Sequence, residues 1–189
     1  MLRSISMVSA HDGWAVGSHF MAHFDGTRWA LVDTPVTRHT DAADIDLKSV
    51  KMISPDEGWA VGNSELRDQQ SSNIISQKGI ILHYSKGAWS IVKTVPLILR
   101  GLAMVSANEG WVVGSVWTSK TDFLHYTNGK WIPVAQPQNA PQDAGGVQPV
   151  ASIAMASAAE GWGISEDGIY RYHDGAWSTW YVRGPNEMM

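Results

Sequence analysis

The chain contains no cysteine in its 189 residues, which excludes disulfides, thiolate metal ligands and a thiol nucleophile. Charge is also scarce, at 17% of residues with a net charge of −4 and no run of Lys or Arg. Without clustered cations several phosphates cannot be neutralised together, so nucleic acid is not an expected partner. Long apolar runs are missing too. The strongest, Val95 to Val105, is interrupted by Pro96 and Arg100, far short of the about 20 residues of a membrane helix, and no membrane partner is expected. The opening residues Met1-Leu2-Arg3-Ser4-Ile5-Ser6 hold no apolar core of a secretory leader, and the compartment stays open. Nothing reads as a helix. What the sequence has in excess is tryptophan, ten residues in all, and such a bias marks a repeated motif.

Alignment on Gly-Trp brings out four copies. Ser4-Ile5-Ser6-Met7-Val8-Ser9 precedes Gly13-Trp14-Ala15-Val16-Gly17, and Ser49-Val50-Lys51-Met52-Ile53-Ser54 precedes Gly58-Trp59-Ala60-Val61-Gly62. The third copy runs from Gly101 to Gly110-Trp111-Val112-Val113-Gly114, and the fourth from Ser152 to Gly161-Trp162-Gly163-Ile164-Ser165. The Gly-Trp units are spaced by 45, 52 and 51 residues. Each copy has a second half in which an aromatic stands five residues before a tryptophan: Phe24 and Trp29, Tyr84 and Trp89, Tyr126 and Trp131, Tyr172 and Trp177. The Asp-Gly, Lys-Gly, Asn-Gly and Asp-Gly pairs between them suit tight turns that need positive φ.

Each repeat therefore predicts four short strands, a to d, joined by tight turns. A single all-β domain over 1–189 is expected, with repeats at about 1–38, 46–95, 98–135 and 149–183. The fold is a β-propeller of four four-stranded antiparallel blades, either a closed four-bladed ring or half of a larger ring. A repeated sandwich module is the alternative. Blades packed face to face cover both sides of each strand, which accounts for the imperfect alternation of Ile80-Ile81-Leu82. The tryptophans are expected to anchor one blade on the next.

The pattern Ser-x-x-Asp/Glu-Gly-Trp-Ala-Val-Gly followed by Leu-x-His-Tyr-x-x-Gly-x-Trp-Ser resembles a tandem repeat of large bacterial proteins, notably from Chloroflexi and Actinobacteria. The likeness covers nearly the whole chain. It implies a propeller of the BNR or kelch-like kind, distantly similar to photosystem II assembly propellers, and repeats of this type often occur in secreted bacterial proteins. The biochemical role of these repeats is mostly unassigned, so the likeness speaks to fold more than to function.

Variation between copies sorts by face. The a-to-b and c-to-d turns keep their length, and they lie together on one face of an up-and-down blade. The b-to-c connections do not: Asn63 to Lys78 reads as a polar loop of 16 residues, and Ser115 to Asp122 is a further insertion. The d-to-a links Asp33 to Asp46 and Ala135 to Pro149 are long, whereas Lys93 to Leu97 is short. A bound partner is expected on this variable face, although Ala135 to Pro149 has the composition of a tolerated linker.

Candidate chemistry is sparse. His23, His83 and His125 share one strand-c position, occupied by Arg171 in the fourth copy. Equivalent positions in neighbouring blades lie too far apart to ligate one ion, so structural hydrogen bonding is expected and no metal or other cofactor. Asp12, Glu57, Glu109 and Glu160 precede each Gly-Trp and read as turn caps. Propeller sialidases need an arginine cluster and a nucleophilic tyrosine, and here the arginines are scattered, so no catalytic residue is assigned and the chain is not expected to be an enzyme. Trp117 and Trp180 fall outside the repeat register. Trp117, in a variable-face loop, is the candidate partner-binding residue.

The function expected is a noncatalytic scaffold that binds a protein or peptide partner through its variable face. The alternative is a lectin-like, carbohydrate-binding propeller using Trp117. A third reading makes the chain a fragment of a larger bacterial propeller, and as a half-ring it is expected to dimerise through exposed blade faces.

Overall fold

Four runs of β-branched and aromatic residues per repeat, punctuated by turn residues, become four strands per sheet. In this computed structural model, which describes residues 1–34, 43–68, 70–71, 73–115, 121–134, 149–166 and 168–182, the first blade is β1 (Leu2–Ser9), β2 (Asp12–Gly17), β3 (Phe20–Phe24) and β4 (Trp29–Leu31). The second is β5 (Ala43–Ser54), β6 (Glu57–Arg67), β7 (Ile74–Ser85) and β8 (Ala88–Val95). The third is β9 (Ile98–Ser106), β10 (Glu109–Ser115), β11 (Thr121–Thr127) and β12 (Lys130–Val134), and the fourth is β13 (Ser152–Met155), β14 (Glu160–Ile164), β15 (Gly168–His173) and β16 (Ala176–Val182). Strands pair antiparallel in chain order within each blade.

The turns follow from local chemistry. At the start of each a-to-b turn a serine hydroxyl accepts a backbone N–H two residues on: Ser9 from His11, Ser54 from Asp56, Ser106 from Asn108 and Ser157 from Ala159. The c-to-d turns of the last three blades place two residues in the left-handed region, Lys86 and Gly87, Asn128 and Gly129, Asp174 and Gly175, as a two-residue I′ hairpin requires. In the c-to-d turn of the first blade only Gly26 has positive φ, and Asp25 instead accepts the backbone N–H groups of Thr27 and Arg28. The glycine before each strand-b tryptophan has a different reason. The strand-a methionine lies across it, and a Cβ at Gly13, Gly58, Gly110 or Gly161 would come within 2.1 to 2.3 Å of the sulfur of Met7, Met52, Met104 or Met155.

Three interfaces between consecutive blades form the core. Trp14, Val16 and Met21 pack on Leu47, Val50, Met52 and Trp89; Trp59, Val61 and Ile81 pack on Leu99, Leu102, Met104 and Trp131. Trp111, Val113 and Phe123 pack on Val150, Ile153, Tyr172 and Trp177. Polar braces cross the same boundaries. Ser4 and Ser6 accept the N–H groups of Val50 and Met52, and the buried Asn63 amide both donates to the Leu99 carbonyl and accepts its N–H.

One of the two arrangements expected falls away, and one further expectation needs correction. The closed four-bladed ring is not formed: the outer side of the first blade exposes Leu2 and Ile5, and the outer side of the fourth exposes Ile164 and Trp180, so the described residues make an open arc. The connection from Asn63 to Lys78 is not a polar loop either. β6 and β7 run on through it, from Gly62 opposite Ile80 to Arg67 opposite Ile74, and β5 starts early enough for Ala43 to stand opposite Leu66. Polar side chains hid the strands: Asn63 is still buried against Leu99, but Leu66, Arg67, Ile74 and Ile75 toward the tip are exposed, and burial there no longer demands apolar residues.

Truncating a junction anchor should be far costlier than truncating an exposed strand residue. Trp59→Ala is expected to lose about 3 to 5 kcal/mol and Val105→Ala less than about 0.5 kcal/mol, measured by urea unfolding.

Candidate functional site

The histidines and the carboxylates, read separately from the sequence, belong to one device. Trp14 stands opposite His23 across β2 and β3, and the same register sets Trp59 opposite His83 and Trp111 opposite His125. Cross-strand partners share a face, and so does the acidic residue two positions before the tryptophan. The imidazoles lie over the indoles at 4.6, 4.2 and 4.2 Å between ring centroids. Nε2 of His23 meets Asp12 Oδ1 at 2.7 Å, Nε2 of His83 meets Glu57 Oε1 at 2.6 Å, and His125 pairs with Glu109. The turn-cap reading of these carboxylates is therefore wrong, because serine hydroxyls already fill that role and the acids face the histidines. The signal was in the strand register. The two partners are 11, 26 and 16 residues apart, a separation that carries no local pattern.

In the fourth blade Arg171 replaces the histidine. It donates through Nε and Nη2 to both oxygens of Glu160, at 2.8 and 3.0 Å, and its guanidinium lies 5.4 Å from the ring centroids of both Trp162 and Trp180. The Arg171 bonds, reinforced by His173, hold the Glu160 carboxyl down at about 2. The carboxylates also reach the next blade. Burial pushes the phenols of Tyr84, Tyr126 and Tyr172 up, aided by Asp56 and Asp12, by Glu57 and by Glu109 respectively.

Two surfaces can receive a ligand. The first is a pocket of about 460 Å³ between the second and third blades, lined by Trp59, His83, Lys93, Tyr126, Lys130 and Trp131 among others. The indole N–H groups of Trp59 and Trp131 are buried and have no hydrogen-bond partner, and Lys93 closes one side by donating to the Trp131 carbonyl at 3.1 Å. The second is the ribbon formed by the extended ends of β5, β6 and β7 on the variable face. Asp44, Glu65 and Gln77 stand side by side across it. Gln77 donates to Glu65 at 2.7 Å, and Arg67 bridges Glu65 and Asp44 at 2.5 and 3.4 Å. A register shift between Leu66 and Arg67 leaves Ile75 as a bulge, and Leu66, Ile74 and Ile75 are exposed.

Of the residues singled out from the sequence, Trp117 lies outside the described residues, as do 135–148 of the linker. Trp180 is exposed and stands edge-on to Trp162 at 5.5 Å. Among the described residues no group of three His, Asp or Glu side chains is placed to hold a metal ion, and no helix is long and apolar enough to cross a membrane. The ribbon went unread because its residues look like loop.

No family model matches the chain and no curated protein matches it. Solved structures do. A gluconolactonase from Xanthomonas campestris superposes with a TM-score of 0.60 at 9% identity, covering 97% of this chain and 62% of that one. YCF48 from Cyanidioschyzon merolae gives 0.62 at 17% identity over 98% and 57%. The lectin of Aleuria aurantia, described as a six-bladed β-propeller with a novel mode of fucose recognition, gives 0.56 at 10% identity over 97% and 61%. At such identities the likeness is one of fold. The class is thereby defined: these are four blades of a β-propeller, and the chain spans about three fifths of the solved propellers it matches.

Because the Glu160 pKa is lowered from its ordinary 4.5 to about 2, its ion pairs favour the folded state above about pH 4.5, and that contribution fades as the pH falls toward 2. Arg171→Met should return the carboxyl toward its ordinary value, read by NMR titration of the side-chain carbon.

Proposed function

We propose that the chain is a noncatalytic binding propeller that recognises a protein or peptide partner through the ribbon on its variable face. One observation carries the reading. Among the described residues, the second blade alone continues its strands past the blade as a paired ribbon, Asn63 to Arg67 in β6 opposite Gly79 to Ile74 in β7, and this ribbon presents exposed Leu66, Ile74 and Ile75 beside the ionic row of Asp44, Glu65 and Arg67. An apolar centre with a charged border is the usual composition of a protein interface. The likeness of the repeats to bacterial tandem arrays, and a place within a longer propeller protein, belong to the same proposal.

A second reading rests on the pocket between the second and third blades. Its aromatic lining and two lysines suit a saccharide, whose C–H faces stack on aromatic rings while its hydroxyls take hydrogen bonds. A solved propeller of similar fold is a fucose-specific lectin, which supports this reading.

Joining Glu65 to Gln77, which stand opposite each other, through an Asn-Gly turn removes the ribbon tip and keeps the blade. The variant should keep its thermal midpoint within a few degrees while losing partner capture from an extract of the source cells at least about tenfold, the effect of deleting about 1.4 kcal/mol of contact. Capture at the wild-type level would exclude the ribbon. For the second reading, sugars should quench tryptophan fluorescence, and the quench should be lost in Lys130→Glu; a silent glycan array rules it out.

A further inference from the structure

The two outer faces of the arc are the two halves of one more junction. On the trailing side of a blade the strand-b tryptophan is buried in the first three blades, with Trp14, Trp59 and Trp111 at 4, 2 and 1% exposure, but Trp162 is at 36%. Two residues on, Val16, Val61 and Val113 are all at 0%, whereas their counterpart Ile164 is at 52%. On the leading side the order reverses. Leu47, Val50 and Met52 are at 0, 4 and 4%, while the matching Leu2, Ile5 and Met7 of the first blade are at 64, 60 and 45%. The face that accepts a tryptophan is bare at one end, and the face that supplies it is bare at the other.

Both halves already have the geometry of the closed junctions. At each closed junction the incoming indole meets an aromatic pair, Tyr84 with Trp89, Tyr126 with Trp131 or Tyr172 with Trp177, whose centroids are 5.0 to 5.3 Å apart at 39 to 45°. Phe24 and Trp29 form the same pair at 5.3 Å and 31°, with no strand-b indole among the described residues against it and Trp29 exposed. Trp162, for its part, is covered by Arg171, which Glu160 fixes, as the buried tryptophans are covered by their carboxylate-bound histidines. Phe24 also lacks the phenol that lies near the preceding blade's carboxylate at the closed junctions, and Glu160 is already satisfied by Arg171 and His173.

We infer that a second copy of the chain docks head to tail, the Trp162 face of each copy on the Phe24 and Trp29 face of the other. Two copies make two identical junctions, and a head-to-tail contact of this kind closes when its rotation does. Eight blades lie within the range of known rings. Continuity with the three internal interfaces is the reason for this occupant: the surface exposed at each end matches one that the chain itself buries three times. In the solved propellers of similar fold the polypeptide extends well beyond the part this arc covers, so further blades are the natural cover for such faces.

Light scattering and sedimentation of the whole chain, from low micromolar to several hundred micromolar, test it. The expected mass is twice 20.7 kDa. Ile5→Glu on the leading face and Ile164→Glu on the trailing face should each give a monomer with unchanged circular dichroism, since both residues are exposed within one chain. Mixing the two variants should restore a dimer through the one intact junction, with weaker association than wild type. Ile75→Glu, on the ribbon, should leave the dimer unchanged. A wild-type monomer at every concentration overturns the inference and leaves the faces to blades of one longer chain. A dimer that survives both end-face substitutions, or that Ile75→Glu dissolves, overturns it as well, as do masses above the dimer.

Discussion

Everything in this molecule depends on an indole held between two blades. The strand-b tryptophan lies under its own histidine on one side and meets the next blade's tyrosine and tryptophan on the other, as Trp59 does with His83, Tyr126 and Trp131 at 4.2, 4.6 and 5.4 Å. The tryptophan pairs cross nearly at right angles, 78 to 83°, with the edge of one ring toward the face of the other, an arrangement worth about 0.5 to 1.5 kcal/mol beyond its area. It also suggests where the buried indole N–H groups without oxygen partners find some compensation, since an aromatic face is a weak acceptor. One contact thus sets the distance between blades, the position of the methionine over its glycine and the identity of the strand-c residue.

The division of labour between the two faces follows from this. The turns beside the tryptophan device keep their length because serine, carboxylate and histidine must all arrive in register, and a one-residue slip would turn each to the wrong side of the sheet. The opposite ends of the strands carry no such constraint. There the second blade grows a ribbon, the first blade ends in a short turn, and Arg3, Ser18 and Lys48 gather on Asp46. Recognition surfaces arise where the scaffold does not need the residues.

The sequence was legible wherever a residue is repeated for a packing reason. Four copies of Gly-Trp, four aromatic-to-Trp spacings and four hairpin turns led to four antiparallel four-stranded blades, and Trp14, Trp59, Trp89, Trp111, Trp131 and Trp177 stand at the junctions as expected. Legibility ended where partners are distant or where burial is absent. The pairing of His83 with Glu57 needs the β6 to β7 register before it can be seen. The ribbon from Asn63 to Lys78 lacks the apolar alternation by which a strand is recognised, since burial falls away toward its tip. Whether the ring closes is a property of Leu2, Ile5 and Ile164, residues that look the same in the sequence as their buried counterparts and differ only in having no neighbour.

An array in which each blade touches only the next has a stability that is a sum of nearest-neighbour couplings rather than a single core's. The fourth blade has the shortest inner strands, four residues in β13 and five in β14, and one coupled side instead of two. Its amides would be the first to exchange with solvent and those of the second blade the last, so unfolding proceeds as a fraying from the rim of the arc inward, with the ribbon-bearing blade as the part that holds longest.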